Sequence, residues 1–185
     1  MIKDVEILNA CSLGYIEAFG KSEHGMTVEE LCGDREQVTP TERTIYWNYK
    51  LKGEYPYRKY LKDWVLVYTS DYNRIAREYL KLDYEIEGGF RATVWKKENN
   101  VIIAYTGTND TSDMIDDLEI AYQDDYNNQL SAAYMLYLYV KKYYAEEKDT
   151  IYLVGHSLGG ALAQFVYCSS YTKENHYLKM VTFNG

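Results

Sequence analysis

The chain has 185 residues and a formal net charge of −8, and it is 46% hydrophobic and 26% charged, enough apolar material for one sizeable core. The negative balance excludes a nucleic-acid partner held through phosphate contacts and electrostatic docking onto anionic lipid. Cys11, Cys32 and Cys168 are odd in number and lie outside metal-ligand spacing, so they read as reduced thiols rather than a disulfide framework.

Met1 to Glu6 lacks the apolar core of a signal peptide, and the longest apolar run, Ala132 to Val140, is far short of the ~18 residues needed to cross a bilayer. A cytoplasmic location is the expectation, with export by a route without a cleaved signal left open. Val5, Leu8, Cys11, Tyr15 and Phe19 recur at spacings of three and four and stop at Gly20, which predicts a first amphipathic helix. Two capping boxes follow. Thr27 with Glu30 opens a short turn, and Thr39 with Glu42, with Pro40 at the first helical position, opens a helix running toward Leu51 and ending before Gly53. Trp64 to Tyr68 fits a strand or a helix. Ser70 is expected to cap a further helix that buries Tyr72, Ile75, Tyr79 and Leu82. Residues 1–85 therefore read as a mainly helical N-terminal layer, joined without a proline- or glycine-rich linker to a strand-helix core over 86–185 in a single domain.

From Phe90 the period changes. Phe90, Ala92 and Val94 alternate with Arg91, Thr93 and Trp95, and Glu98-Asn99-Asn100 turns the chain into the apolar run Val101 to Tyr105, which predicts a hairpin. A helix from Asn127 to Ala145 crosses to a buried strand, Ile151 to Val154, and a second helix crosses to Met180 to Phe183. Strand, helix, strand, helix, strand predicts a mostly parallel sheet with flanking helices and right-handed crossovers.

Gly155-His156-Ser157-Leu158-Gly159-Gly160-Ala161 stands between the second of these strands and its helix. A bare G-x-S-x-G is expected by chance in roughly one chain in twenty of this length. The flanks decide in its favour: Leu158, Leu162, Phe165 and Val166 follow at helical spacing. A serine at the tip of a strand-to-helix turn needs small neighbours, and the glycines and Ala161 provide them. Its hydroxyl is then exposed beside a helix N-terminus, where the amide of Leu158 can stabilise an oxyanion formed when Ser157 attacks a carbonyl carbon. A second donor is expected from the loop after a neighbouring strand. Thr106-Gly107-Thr108 ends the run from Val101, and Thr108 is placed to supply it.

Thr106 to Thr108, Met114-Ile115-Asp116-Asp117-Leu118, the run from Asn127 to Ala145, Gly155 to Ala161 and Val181 to Gly185 stand in an order that resembles the class 3, fungal-type lipase family and its bacterial lipase-like relatives in the α/β-hydrolase superfamily. The likeness runs from about Phe90 to Gly185. Thr106 departs from it, standing where the family usually has arginine. The resemblance implies an α/β-hydrolase-like fold and hydrolysis of a lipid or acyl ester through an acyl-enzyme on Ser157. It also implies an oxyanion hole formed by Thr108 and Leu158, no cofactor, and transient contact with a lipid surface.

In this fold the acid and the histidine of the triad follow the serine on loops beyond later strands. Only one helix and one strand follow Ser157. His176 lies in the connection between them, His156 adjoins the serine with its side chain directed away, and His24 belongs to the N-terminal layer. None of the three fits the base. The expectation is a C-terminally incomplete domain whose acid and base lie beyond residue 185, inactive alone and self-associating through an incomplete sheet edge. The alternative is a non-catalytic lipase-like binding or assembly domain. Asp113, Asp116, Asp117 and Glu119, like Asp124 and Asp125, read as helix-start and solvated carboxylates rather than a metal site.

Overall fold

A computed structural model describes residues 2–14, 24–33, 60–71, 77, 81, 90–107, 125–172 and 177–183. The described elements are α1 (Asp4–Leu13), α2 (Val28–Gly33), β1 (Val65–Asp71), β2 (Arg91–Lys97), β3 (Asn100–Tyr105), α3 (Asp125–Tyr143), β4 (Thr150–His156), α4 (Leu158–Ser170) and β5 (Leu178–Phe183). The five strands form one mixed sheet in sequence order. β2 runs antiparallel to β1 and β3, whereas β3, β4 and β5 are mutually parallel. β1, β3, β4 and β5 thus end at the same edge of the sheet.

The expected hairpin is present, with Lys97 opposite Asn100 across a turn in which Glu98 takes a positive φ of 50°. Side chains of β3 alternate between two cores. Val101, Ile103 and Tyr105 face α3 and α4 together with Leu136, Val140, Leu153, Leu162 and Val166. Ile102 and Ala104 face α1 and α2 together with Ile7, Leu13, Leu61, Trp64 and Val154. Burial on both faces explains why Val101 to Tyr105 and Ile151 to Val154 are continuous apolar runs rather than alternating ones. Tyr105 spends its polar tip inside the core, where its hydroxyl donates to the Ala133 carbonyl of α3 at 3.1 Å.

The N-terminal segment covers the second face and departs from expectation in two places, the phase of α1 and Ser70. α1 buries Ile7, Ala10 and Cys11 while Leu8 is 46% exposed, so the helix is turned relative to the stripe read through Val5 and Leu8. Ser70, expected to cap a helix, is a buried residue of β1; of the stretch Trp64 to Tyr68, left open between strand and helix, Val65 to Tyr68 lie in that strand. In α4, Phe165, one of the apolar residues at helical spacing, is 38% exposed. The Thr27–Glu30 box forms as expected: Glu30 Oε2 accepts from the Thr27 amide at 2.7 Å, and the Glu30 amide donates to Thr27 Oγ1 at 3.2 Å. The helices expected behind Thr39 and Ser70, the residues Tyr15 to Gly20 and the acidic run Asp113 to Asp124 lie outside the described residues.

At the sheet edge opposite the strand ends, Asp149 is a buried carboxylate with two partners on its Oδ2. It meets Lys96 Nζ at 3.0 Å and accepts from the Glu146 amide at 3.0 Å, while Lys96 also donates to the Tyr144 carbonyl at 2.9 Å. This clamps the α3–β4 connection to β2. Replacing Asp149 with Ala leaves a cation and an amide without that acceptor. Because Lys96 keeps 26% exposure, the expected loss is about 3 kcal/mol, the low end for a broken buried pair, read from urea midpoints at unchanged m.

Burial in α1 pushes the Cys11 thiol up to about 12, so the fold holds it neutral. Its contribution to stability is fully present below the ordinary thiol value of 9.0 and is lost as pH rises toward 12. With iodoacetamide at pH 8, the native protein is expected to alkylate at exposed Cys168 and not at Cys11, as peptide mass spectrometry would show.

Candidate active site

β4 is paired on both sides, with Gly155 level with Tyr105 of β3 and with Thr182 of β5. It ends at His156, and α4 begins at Leu158 with only Ser157 between them. A reversal that sharp requires an unusual backbone. Ser157 has φ 54° and ψ −126°, a conformation that L-residues rarely adopt. It is held from two sides, since its amide donates to the Phe183 carbonyl at 3.2 Å and its carbonyl accepts from the Ala161 amide at 3.2 Å.

Ser157 occupies the N-cap position of α4 but makes no side-chain capping bond. Its half-buried hydroxyl is therefore not spent on its own helix. The unsatisfied amides of the first turn, beginning with Leu158, and the positive end of the helix dipole lie beside it.

The glycines around Ser157 are demanded by contact. A Cβ on Gly155 would strike the Gly159 carbonyl oxygen and come within 2.6 Å of the Gly160 nitrogen. One on Gly159 would strike the Tyr105 carbonyl oxygen and approach the Tyr105 carbonyl carbon at 2.9 Å and the Gly107 nitrogen at 3.1 Å. The first turn of α4 thus rests directly on the exit of β3. Thr106 and Gly107 leave the sheet at the same edge as Ser157, beside its helix. Thr108, the next residue, lies outside the described residues.

The histidines are dispersed. His24 sits against β1, where its Nε2 accepts from the Thr69 amide at 3.0 Å. β1 is three strands from β4, about 14 Å at the usual strand spacing, so His24 is not within reach of Ser157. His156 follows Val154 by two along β4 and by alternation shares its face, toward α1 and α2, while Gly155 faces α4. His176 lies outside the described residues. Among the described residues no three His, Cys, Asp or Glu side chains are grouped to hold a metal ion, and no helix is long and apolar enough to cross a membrane.

Substitutions at the three glycines should separate sharply. Gly155→Ala and Gly159→Ala force backbone apart and are expected to cost about 3 kcal/mol or more. Gly160→Ala meets its nearest atoms at 3.4 and 3.5 Å, ordinary contact, and gains helix propensity, so it should be neutral or stabilising by up to about 1 kcal/mol. Urea unfolding of the three variants tests the order.

An 82-residue stretch is 33% identical to the "Extracellular phospholipase A1" of Serratia liquefaciens, covering 43% of this chain and 24% of that protein. A lipase crystal structure from Rhizopus microsporus var. chinensis superposes with a TM-score of 0.48 at 18% identity, over 69% of this chain and 46% of that one. The chain thus spans about a quarter of the phospholipase's length and under half of the lipase chain's. A family model described as Mbeg1-like matches residues 72–180, more than half of the sequence, and the chain belongs to the Mbeg1-like family.

Proposed function

We propose that the protein is a serine hydrolase of lipid or acyl esters, working through an acyl-enzyme on Ser157. The observation that carries this reading is the backbone of Ser157. A non-glycine residue is held at positive φ between a central strand and a helix, with its hydroxyl uncommitted at the helix N-terminus. Positions of this kind persist only where the surroundings enforce them, and they concentrate at functional sites. The relatives named phospholipase and lipase support an ester substrate, as does the class 3 lipase-like order of motifs.

In this reading Ser157 Oγ attacks the ester carbonyl carbon as its proton passes to a base. The carbonyl π-pair moves onto oxygen, and the Leu158 amide with the Thr108 amide or hydroxyl stabilises the oxyanion. Collapse breaks the ester C–O bond, releases the alcohol and leaves the acyl group on Ser157. Water then attacks the acyl carbon, giving the carboxylic acid and the free serine. Neither His24 nor His156 is placed to serve as the base, so it is assigned outside the described residues. A cytoplasmic location stays part of the proposal, beside a relative named extracellular.

The test uses the protein expressed from its complete gene. A fluorophosphonate probe is expected to label Ser157, identified by peptide mass spectrometry. Ser157→Ala should abolish labelling and lower hydrolysis of p-nitrophenyl butyrate on the order of 10⁴-fold or more. A folded protein that neither labels nor hydrolyses would favour the non-catalytic lipase-like scaffold.

A further inference from the structure

Thr106 is 4% exposed and joins three elements at the point where β3 leaves the sheet. Its amide donates to the Arg91 carbonyl at 3.0 Å, which extends the β2–β3 ladder one step beyond Tyr105. Its hydroxyl donates to the Gly14 carbonyl at 2.9 Å. Gly14 follows the last residue of α1, so its carbonyl is one that the helix itself leaves without a donor. The contact is close because Gly14 lies against Ala104, where a Cβ would stand 3.5 Å from the Ala104 Cβ and carbonyl oxygen. Thr106 is thus fixed on one side by α1. On the other side, the neighbouring residues Tyr105 and Gly107 are the atoms on which Gly159 of α4 rests.

We infer that Thr106 is a positioning residue for ester hydrolysis. Its buried hydroxyl anchors the exit of β3 at Gly107 to α1 and so fixes, against Gly159 of α4, the point from which the chain continues to the proposed oxyanion donor. The inference rests on the reading of Ser157 as the nucleophile. A valine would fill the same volume and keep the strand, but it would leave the Gly14 carbonyl without its donor and loosen the exit of β3 at Gly107. A displacement of about 1 Å in a catalytic group costs up to 10²-fold, and complete loss of one oxyanion donor costs about 10² to 10³. Because such a donor acts on charge that develops only in the transition state, the loss falls on kcat and leaves KM in place.

The experiment compares Thr106→Val, Thr106→Ser and Ser157→Ala in the protein expressed from its complete gene, with p-nitrophenyl butyrate as substrate and circular dichroism as the check of folding. Thr106→Val is expected to lower kcat about tenfold or more with KM unchanged, and Thr106→Ser, which keeps the hydroxyl, to restore the parental kcat. An unchanged kcat in Thr106→Val, or an equal loss in Thr106→Ser, overturns the proposal. Should Thr106→Val fail to fold, Thr106→Ala replaces it with the same expectation. If both fail, the hydroxyl serves the fold as a whole and the placement role is overturned. Activity that survives Ser157→Ala overturns the reading of Ser157 itself. Activity abolished by Ser157→Ala yet untouched by Thr106→Val overturns only the role of Thr106.

Discussion

The first turn of α4 lies so close to the ends of β3 and β4 that no side chain fits at Gly155 or Gly159. Everything at the candidate site follows from this approach. With the helix pressed onto the strand ends, the link between His156 and Leu158 shrinks to a single residue. One residue can turn the chain from strand to helix only by leaving the usual regions of backbone space. Ser157 does so, and its side chain is thereby lifted out of both the strand pleat and the helix face. The same approach brings the α4 N-terminus against Tyr105 and Gly107, so the dipole of one element and the exit of another meet at one edge of the sheet.

The two ends of the strands do different work. At the end away from Ser157, the Lys96–Asp149 pair and the carbonyl and amide bonds around it lock the α3–β4 connection to β2. At the Ser157 end, two described residues differ in how their hydroxyls are engaged. Ser157 makes no capping bond with its hydroxyl. Thr106, one step inside that edge, is fully engaged on Gly14 and Arg91. A rigid anchor beside an uncommitted hydroxyl is the distribution expected of a preorganised site. The burial of β3 and β4 on both faces makes the platform under it stiff.

Much of this was legible in the sequence, and the failures have physical causes. The β2–β3 hairpin, α3, β4 and α4 announced themselves because their signals are local: period-two alternation, the turn at Glu98-Asn99-Asn100, helical spacing and glycines around Ser157. The Thr27–Glu30 box was equally local. The phase of α1 was not, because Ile7, Leu8, Ala10 and Cys11 offer two overlapping apolar stripes and only the packing against β3 and β4 chooses between them. Ser70 misled for a different reason. A serine before polar residues suits a helix cap, but pairing with Ala92 of β2 holds it in β1, and pairing across strands is invisible in a local window. The single-residue passage from β4 to α4 at Ser157 was legible from spacing. The link from Thr106 to Gly14 was not, since it joins residues 92 apart in the chain and depends on how α1 docks.

Among the described residues, three that are not glycine take a positive φ: Lys81, Glu98 and Ser157. Glu98 sits in an exposed hairpin turn, where the strands on either side set the geometry and the conformation is common. Ser157 has no such excuse, and holding it there costs about 1 to 3 kcal/mol. The opposing contributions are visible around it. Its amide bond to the Phe183 carbonyl ties the turn to β5. Leu162 and Val166, fully buried on α4, each contribute about 1.5 to 3 kcal/mol by burial, and they hold the helix where the turn must meet it. The strain at Ser157 is therefore sustained by the apolar face of α4 and not by any polar contact of the serine side chain. That separation is what leaves the hydroxyl available for chemistry: the residue is positioned entirely through its backbone, and its Oγ takes no part in keeping it there.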